Sequence, residues 1–139
     1  MKATKVEVSC DGSCPVQRTA QALDGKWTIL VLRDLLGGKK RYSELQRSLK
    51  GISPRLLAAR LKALELQGLV TRTVFATVPP TTEYALTPQG QHIMPVVQAM
   101  AVYGQTLLLQ DARAKKARSS STAVTAPGVT QVRGGKQVF

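Results

Sequence analysis

Apolar side chains recur at helical spacing in the first third of the chain, where caps and glycines divide them into two predicted helices. Pro15 suits the first position of a helix, since its missing N–H would have no partner there, so we expect a helix over residues 15–23. Asp24 can cap a second helix, with Gly25 at the junction, and Gly37-Gly38 ends it. The apolar face of this second helix is wide enough for a largely buried element and consists of Trp27, Leu30, Val31 and Leu35, broadened by Ile29, Leu32 and Leu36.

Two short helices joined by a three-residue turn are predicted next. Ser43 and Gln46 have the spacing of a capping box, which predicts a helix over residues 43–49. Ser53-Pro54 begins another helix, because the serine can cap it and the proline fits its first turn, and Gly68 ends it. The side of this helix that faces the core carries Leu57, Leu61 and Leu64. The opposite side, at about 100° per residue, carries Arg55, Ala58, Ala59 and Lys62.

A hairpin and a long last helix complete the pattern. Residues 69–75 are rich in β-branched side chains and predict a strand, and residues 82–86 predict the returning strand, with a proline-containing break between them. Thr87-Pro88 begins a helix that we expect to continue to about residue 110 and to bend at Pro95. Apolar positions in this helix step by 4, 3, 4 and 3. They form a heptad seam suited to dimerisation, which consists of Ile93, Val97, Met100, Gly104 and Leu107.

These elements together predict a winged helix-turn-helix. The fold class is mainly α with a small β-hairpin wing, between an N-terminal and a C-terminal helix that serve dimerisation. In this architecture the second helix of the pair enters the major groove of DNA, and the wing reaches the minor groove or the phosphates. We expect three regions: a flexible N-terminal arm over residues 1–13, the winged-helix domain over residues 14–110, and a basic, disordered tail over residues 111–139.

The charge of the chain points to a polyanionic partner. The 139 residues carry 20 Lys and Arg against 8 Asp and Glu, a net charge of +12. Twelve basic and four acidic residues, net +8, lie between positions 15 and 72, where the helix pair is predicted. Nucleic acid is the first candidate and an acidic membrane surface the second. We expect no membrane association and a cytoplasmic protein, since no signal peptide and no long apolar run are apparent.

Several residues are candidates for contact with double-stranded DNA. Arg55, near the start of the predicted recognition helix, can reach a base edge or a phosphate, whereas Lys62, two turns later, suits a phosphate. Arg60 lies nearer the core and can instead pair with Glu65 or Glu44. Each basic cluster could equally be a solvated surface. The candidate DNA contacts are Lys39, Lys40, Arg41, Ser43, Ser53, Arg55, Ala58, Ala59, Lys62 and Arg72.

The sequence offers little for catalysis, metal binding or a cofactor. His92 is the only histidine and has no second ligand at useful spacing, so we expect neither an enzyme nor a metal site. Cys14 falls at the N-cap of the first helix, where the helix dipole and nearby Arg18 favour the reactive thiolate. Cys10 is then a candidate resolving thiol. In the alternative interpretation, Cys14 is a small buried hydrophobe and Cys10 is unused.

The chain resembles the HxlR family of bacterial winged-helix transcriptional regulators, within the MarR-like superfamily. The resemblance covers about residues 14–104. It is carried by Cys14-Pro15, Gly25-Lys26-Trp27, Arg41-Tyr42-Ser43-Glu44-Leu45, Ile52-Ser53-Pro54-Arg55, Arg60-Leu61-Lys62-Ala63-Leu64-Glu65, Gly68-Leu69-Val70, Pro80, Tyr84 and Leu86-Thr87-Pro88-Gln89-Gly90. The sequence departs from the commonest pattern at Gln17, where an acidic residue is usual, at Tyr42, where Phe is usual, and at Tyr103, where Trp is usual.

The resemblance implies a homodimer built by the first and last helices, with two recognition helices on one DNA operator. It also implies that Cys14 senses electrophiles or oxidants, as the corresponding cysteine does in some members. We therefore expect a dimeric, sequence-specific DNA-binding regulator, more readily a repressor than an activator. The alternative is a basic protein that coats nucleic acid without sequence preference, driven by its charge and its tail.

Overall fold

The structure, a computed structural model, describes residues 14–121, which form six helices and three short strands. In chain order these are α1 (Pro15–Ala22), α2 (Lys26–Leu36), β1 (Lys40–Arg41), α3 (Tyr42–Ser48), α4 (Pro54–Leu66), β2 (Val70–Phe75), β3 (Thr81–Leu86), α5 (Pro88–Gln91) and α6 (Met94–Ser121). The described residues up to Ala99 form one compact unit, and α6 from Met100 onward belongs to a second. The mainly α winged helix-turn-helix predicted from the sequence is confirmed.

The core of the first unit is almost entirely aliphatic. Its centre is formed by the leucines of α4 that the sequence pattern predicted to be buried, Leu57, Leu61 and Leu64, and each is at most 1% exposed. Trp27 packs against this cluster from the side, as predicted, and remains partly exposed. The other buried apolar residues are Val31, Leu32, Leu35, Leu45, Leu49, Ile52, Val70 and Tyr84.

Side-chain hydrogen bonds fix the position of α4 relative to α3. The hydroxyl of Ser53 accepts a hydrogen bond from the Leu56 N–H at 3.2 Å and caps α4 as predicted. The Tyr42 hydroxyl donates to the carbonyl of Pro54 at 2.8 Å, and the Gln46 amide donates to the carbonyl of Ile52 at 2.8 Å. These two bonds reach from α3 to the turn and to the start of α4, so the first turn of α4 is held at a defined position.

Two predicted helix starts are wrong by one or two residues. Helix α3 begins at Tyr42 because the Glu44 carboxylate accepts the N–H of Arg41 at 2.7 Å, a stronger acceptor than the predicted Ser43 and Gln46 pair provides. Helix α2 has Gly25, with φ 85°, as its N-cap in place of Asp24. In both cases the residue types of a helix start were recognised, but the residue that takes the cap position was not.

A third strand is present that the sequence pattern did not predict. Lys40 and Arg41 form β1 and pair antiparallel with β3, so that the sheet order is β1-β3-β2. Lys40 lies opposite Tyr84, and Arg41 lies opposite Glu83. A two-residue strand of basic side chains has no alternation of apolar and polar positions, so it carries no strand signal. The predicted β2–β3 hairpin is confirmed, with Val70 opposite Leu86 at its base.

The predicted last helix is two helices. Thr87 caps α5, accepting the Gly90 N–H at 3.0 Å through its hydroxyl, and α5 ends after Gln91. Helix α6 then begins at Met94, so Pro95 lies in its first turn. The predicted bend at Pro95 is therefore wrong, because a proline in the first turn needs no N–H partner and does not interrupt the helix.

Helix α6 extends beyond its predicted end near residue 110. It continues to Ser121 through residues 111–118, which are mostly Ala, Arg and Lys and contain no Gly or Pro. The first part of the predicted disordered tail is thus helical. The remainder of that tail, residues 122–139, and the predicted arm, residues 1–13, lie outside the described residues. The division of the chain into arm, domain and tail stays a prediction.

Residues 88–121 also meet the length and composition expected of a membrane-spanning helix, with a mean hydropathy of 1.2 over the most apolar stretch. None of that stretch is buried. This differs from the expectation that no apolar run is long enough. A helix that leaves so much apolar surface uncovered needs a partner surface, and Met100, Gly104 and Leu107 of the predicted heptad seam lie in α6.

Candidate DNA-binding surface

Helix α4 presents one side to the core and the other to solvent. Arg55, Ala58, Ala59 and Lys62 are all exposed, as predicted. Ser53 is exposed at the N-terminal end of the helix, where its hydroxyl serves as the cap. The two basic side chains are separated by two alanines, and small side chains let a helix approach the floor of a groove closely. The geometry expected of a recognition helix is present, and contact with DNA by these residues stays a prediction.

The basic residues around β1 do not all point freely into solvent. The Lys39 ammonium lies 3.6 Å from one carboxylate oxygen of Glu83, and the Arg41 Nε lies 4.0 Å from the other. Lys40 is half-buried. Lys39 and Arg41 therefore share an acidic partner although their side chains are largely exposed, and contact of either residue with DNA stays a prediction. Ser43, in the first turn of α3, is exposed.

Sequence reasoning missed Glu83 because the pairing depends on strand register. One signal was available: Glu83 is the only acidic residue between positions 73 and 110. An isolated charge inside a predicted strand indicates a partner of opposite charge on a neighbouring element. That partner could not be identified without β1, whose Arg41 stands directly opposite Glu83 in the sheet.

The wing carries a basic residue where it joins the domain, and its tip is uncharged. Arg72 is exposed on β2, opposite Tyr84 of β3. Beyond it, residues 73–82 contain no charged side chain, and the apolar side chains of Val74, Phe75 and Val78 are exposed. Arg72 is thus the only charged residue of the wing that can supply a phosphate contact of the kind predicted.

Arg60 has a structural role that differs from both expected ion pairs. Its Nη1 donates to the backbone carbonyl of Asp24 at 3.4 Å, and neither Glu65 nor Glu44 is its partner. Its Nε is buried and has no hydrogen-bond partner in the described part of the chain. The guanidinium also lies against Gly25. Arg60 therefore connects α4 to the junction between α1 and α2 and is not part of the exposed face of α4.

Cys14 occupies the N-cap of α1, as predicted. Its carbonyl accepts the Arg18 N–H at 3.0 Å, the first backbone bond of the helix, and the residue is half-buried. The side chain makes no capping hydrogen bond to α1, so the expected contact between the sulfur and the first amides is not formed. Cys10, the candidate resolving thiol, lies outside the described residues.

The predicted heptad seam divides into a packed and an exposed part. Ile93 packs against the core cluster of the first unit, and Val97 is half-buried. Met100 and Leu107 are 48% and 42% exposed. At Gly104 an added Cβ would meet no atom within 4 Å. The apolar side chains from Met100 onward are therefore available to a partner.

No group of three His, Cys, Asp or Glu residues that could hold a metal ion occurs in residues 14–121. His92 is exposed and forms the C-cap of α5. Its N–H donates to the carbonyl of Gln89 at 3.2 Å. The candidate DNA-binding surface therefore consists of the exposed basic residues of α4, of β1 and of the base of the wing.

Comparison with known proteins identifies the family. Residues 22–112 match the family described as HxlR-like helix-turn-helix. A protein of Synechocystis sp. named as an uncharacterized HTH-type transcriptional regulator is 43% identical over 98 residues, which cover 70% of this chain and 73% of that protein. The solved structure of the redox regulator HypR in its oxidized form has a TM-score of 0.63 at 38% identity, covering 67% of this chain and 96% of that one. The reduced form of the transcriptional regulator YodB from B. subtilis has a TM-score of 0.57 at 34% identity, covering 66% and 90%. The chain therefore belongs to the HxlR family of helix-turn-helix transcriptional regulators.

Proposed function

We propose that the protein is a dimeric regulator that binds one DNA operator sequence-specifically through α4. The observation that carries the proposal is the division of α4 into a leucine face in the core and an exposed face with Arg55, Ala58, Ala59 and Lys62. In a helix-turn-helix the N-terminal residues of the second helix meet base edges. Arg55, the second residue of α4, is at that end and is suited to a guanine. Lys62 is suited to a phosphate.

The outer contacts would come from the elements that flank α4. Lys39, Lys40 and Arg41 at β1, the exposed Ser43 of α3 and Arg72 at the base of the wing can each meet backbone phosphates on either side of the major groove. Phosphate contacts of this kind position the protein and carry no sequence information. The sequence preference would then rest on few side chains, with Arg55 first among them.

The exposed apolar side of α6 supports a homodimer. Met100 and Leu107 leave large apolar areas uncovered, and they share a heptad seam with Gly104. Pairing of this seam in two copies would give a two-fold axis. Two recognition helices would then lie about 34 Å apart, or a small multiple of that distance, on a palindromic operator. We place this dimer in the cytoplasm and propose repression, by occlusion of the promoter, as its mode of action.

A non-specific nucleic-acid-coating protein is the competing function, since the net charge of +12 favours any DNA. A selection for bound sequences from a random DNA pool at fixed salt separates the two functions. We expect enrichment of one palindromic motif with a half-site spacing near one or two helical turns. A pool that shows no enriched motif after several rounds would support the coating protein instead.

Two substitutions then test α4 on the selected operator. Arg55→Ala should weaken operator binding by about 1–3 kcal/mol and leave random DNA nearly unaffected, because a base contact is lost. Lys62→Ala should weaken both by similar amounts and lower the salt dependence. Arg33→Ala, which removes an exposed positive charge from α2, is the control. If neither Arg55→Ala nor Lys62→Ala differs from the control in a gel-shift titration, α4 is not the recognition helix.

Redox control of DNA binding is a second proposed property. It is supported by Cys14 at the start of α1 and by the similarity to HypR, which is named a redox regulator. An oxidant or an electrophile would be the signal, and Cys10 would be the second thiol if a disulfide forms. Modification at Cys14 would act through α1, whose Leu23 end packs against the core beside α2.

A further inference from the structure

A single carboxylate lies between two of the cations that the proposed DNA-binding surface offers. Glu83 stands on β3 directly opposite Arg41, at the place where the two-residue strand β1 joins the sheet. Its two carboxylate oxygens lie 3.6 Å from the Lys39 ammonium and 4.0 Å from the Arg41 Nε, respectively. The Lys39–Arg41–Glu83 cluster therefore has a net charge of +1, whereas its two basic side chains alone would carry +2.

Exposure differs between the acid and the two bases. The side chain of Glu83 is 20% exposed, while those of Lys39 and Arg41 are 71% and 58% exposed. The carboxylate is thus held by the sheet, and the two cations can leave it and reach outward. The backbone of Arg41 is held in place as well, because its N–H donates to the Glu44 carboxylate at 2.7 Å. Only side-chain rotation separates the paired state from one in which both cations face solvent.

We propose that Glu83 is a specificity-determining residue that competes with backbone phosphates for Lys39 and Arg41. This inference rests on the proposed function, since it needs the β1 surface to face DNA. Non-specific binding draws nearly all of its free energy from neutralised phosphates and released counterions. A carboxylate that retains two cations therefore lowers the affinity for random-sequence DNA more than the affinity for the operator.

The operator is penalised less, because part of its binding comes from base contacts made by α4. A carboxylate beside phosphate-binding cations thus weakens binding to non-operator DNA more than binding to the operator. Non-operator sites are present in great excess in a genome, so this difference improves discrimination. The ion pairs themselves add little to stability, since both cations are largely exposed. Their effect is expected in the discrimination between DNA sequences.

Glu83→Gln tests this inference, because it removes the charge and keeps the shape. The affinity of the protein for a random-sequence 30-base-pair duplex is measured at several salt concentrations for the wild type and the variant. We expect Glu83→Gln to bind this duplex several-fold more tightly, with a salt slope steeper by about 0.9 for each cation released to a phosphate. The affinity for the selected operator should rise less, so the specificity ratio falls.

Two controls separate local competition from a general change of charge. Asp24→Asn, at the exposed residue between α1 and α2, changes the net charge by the same amount and should leave the salt slope unchanged. Lys39→Gln should lower the slope more in the Glu83→Gln background than in the wild type, because in the wild type Lys39 is already partly neutralised. This double-mutant comparison does not depend on the absolute stability of either variant.

Three outcomes would overturn the inference. Glu83→Gln could leave the slope and the affinity of the random duplex unchanged while Lys62→Ala still lowers both, in which case α4 binds DNA and Glu83 does not compete. Glu83→Gln could weaken both DNAs, which would make Glu83 a residue that orders Arg41 for contact. If Lys62→Ala and Arg55→Ala also have no effect, the proposed function itself fails, and the inference fails with it.

Discussion

Arg60 of α4 lies directly over Gly25, the residue that caps α2. A Cβ added at Gly25 would come within 2.9 Å of the Arg60 Nη2 and 3.0 Å of its Cζ. Gly25 also has φ 85°, a conformation that side-chain-bearing residues rarely adopt. The guanidinium hydrogen-bonds to the carbonyl of the adjacent Asp24 at 3.4 Å. Helix α4 is thereby connected to the α1–α2 junction at a position that requires glycine.

Gly25→Ala should destabilise the protein by about 1–3 kcal/mol, because it combines backbone strain with displacement of Arg60. The measurement is urea denaturation followed by circular dichroism. Gly37→Ala is the matched control, since Gly37 has an ordinary helical conformation and an added Cβ would lie 3.5 Å from the Asp34 carbonyl oxygen, an ordinary contact distance. A Gly25→Ala protein as stable as this control would show that the contact is not needed.

A second glycine is required where α5 meets the start of β2. A Cβ at Gly90 would lie 2.1 Å from the carbonyl oxygen of Leu69 and 3.0 Å from its carbonyl carbon. The same junction is bonded twice by Thr87, whose N–H donates to Leu69 and whose hydroxyl donates to Gly68 at 2.6 Å. Because backbone atoms block the site, no side-chain rotation can relieve the overlap.

Gly90→Ala should therefore destabilise the domain by about 3 kcal/mol or more, at the upper end of the cost of overpacking. Thermal unfolding by calorimetry gives the comparison, with Gln91→Ala on the exposed side of α5 as the neutral control. A melting temperature of Gly90→Ala within about a degree of the control would contradict the close approach of α5 to Leu69.

The sequence predicted the elements whose local signals agree with one another. For α4, the Ser53-Pro54 start, the leucine spacing and the Gly68 end all point to one helix, and its buried and exposed faces are as predicted. The β2–β3 hairpin was equally clear from its β-branched runs and the prolines between them. These features depend on residues close together in the chain, so pattern alone is sufficient to place them.

The parts that were missed depend on contacts between distant residues. Strand β1 exists because Lys40 and Arg41 pair with β3, more than forty positions later, and neither residue has a strand preference. The acidic partner Glu83 could be assigned only with that register. The close approach of Gly90 to Leu69 also joins residues that are distant in the chain, and no local pattern records it. The exposed basic side of α4 could be predicted from the sequence, whereas the pairing of Lys39 and Arg41 with Glu83 could not.

Dimerisation through α6 can be tested with one charged substitution in the heptad seam and one outside it. Met100→Asp should yield monomers, because pairing of the seam would bury an unpaired charge. Gln105→Asp is the control, since Gln105 lies about 140° around the helix from Met100 and is exposed. The mass is measured by light scattering at micromolar concentration. A monomeric wild type at that concentration would contradict the proposed dimer.

Gly104→Ala probes the same seam in the opposite sense. Glycine in a helix interior costs about 0.5–1 kcal/mol relative to alanine, and an added Cβ here meets no atom within 4 Å, so the variant should raise helix stability within one chain. If two copies of α6 approach closely at Gly104, the added methyl groups should nevertheless weaken the dimer. Sedimentation equilibrium measures the dissociation constant, and a Gly104→Ala dimer as tight as the wild type would show that Gly104 is not at the contact.

The last prediction concerns oxidation at Cys14. Diamide removes two electrons and two protons from a pair of thiols to form a disulfide. Cys14 with Cys10, or Cys14 with its copy in the proposed dimer, would supply such a pair. Since Cys14 caps α1 and its carbonyl accepts the first backbone bond of that helix, a new covalent constraint on Cys14 should shift α1 and change the spacing of the recognition helices.

We expect diamide to change the operator affinity of the wild type, and dithiothreitol to restore it by reducing the disulfide. Cys14→Ser should not respond. Cys10→Ser should abolish a Cys10–Cys14 disulfide, whether it forms within one chain or across the dimer, and should leave a disulfide between two Cys14 residues intact. An unchanged binding curve of the wild type, with oxidation of Cys14 verified by mass spectrometry, would leave a DNA-binding regulator without redox control.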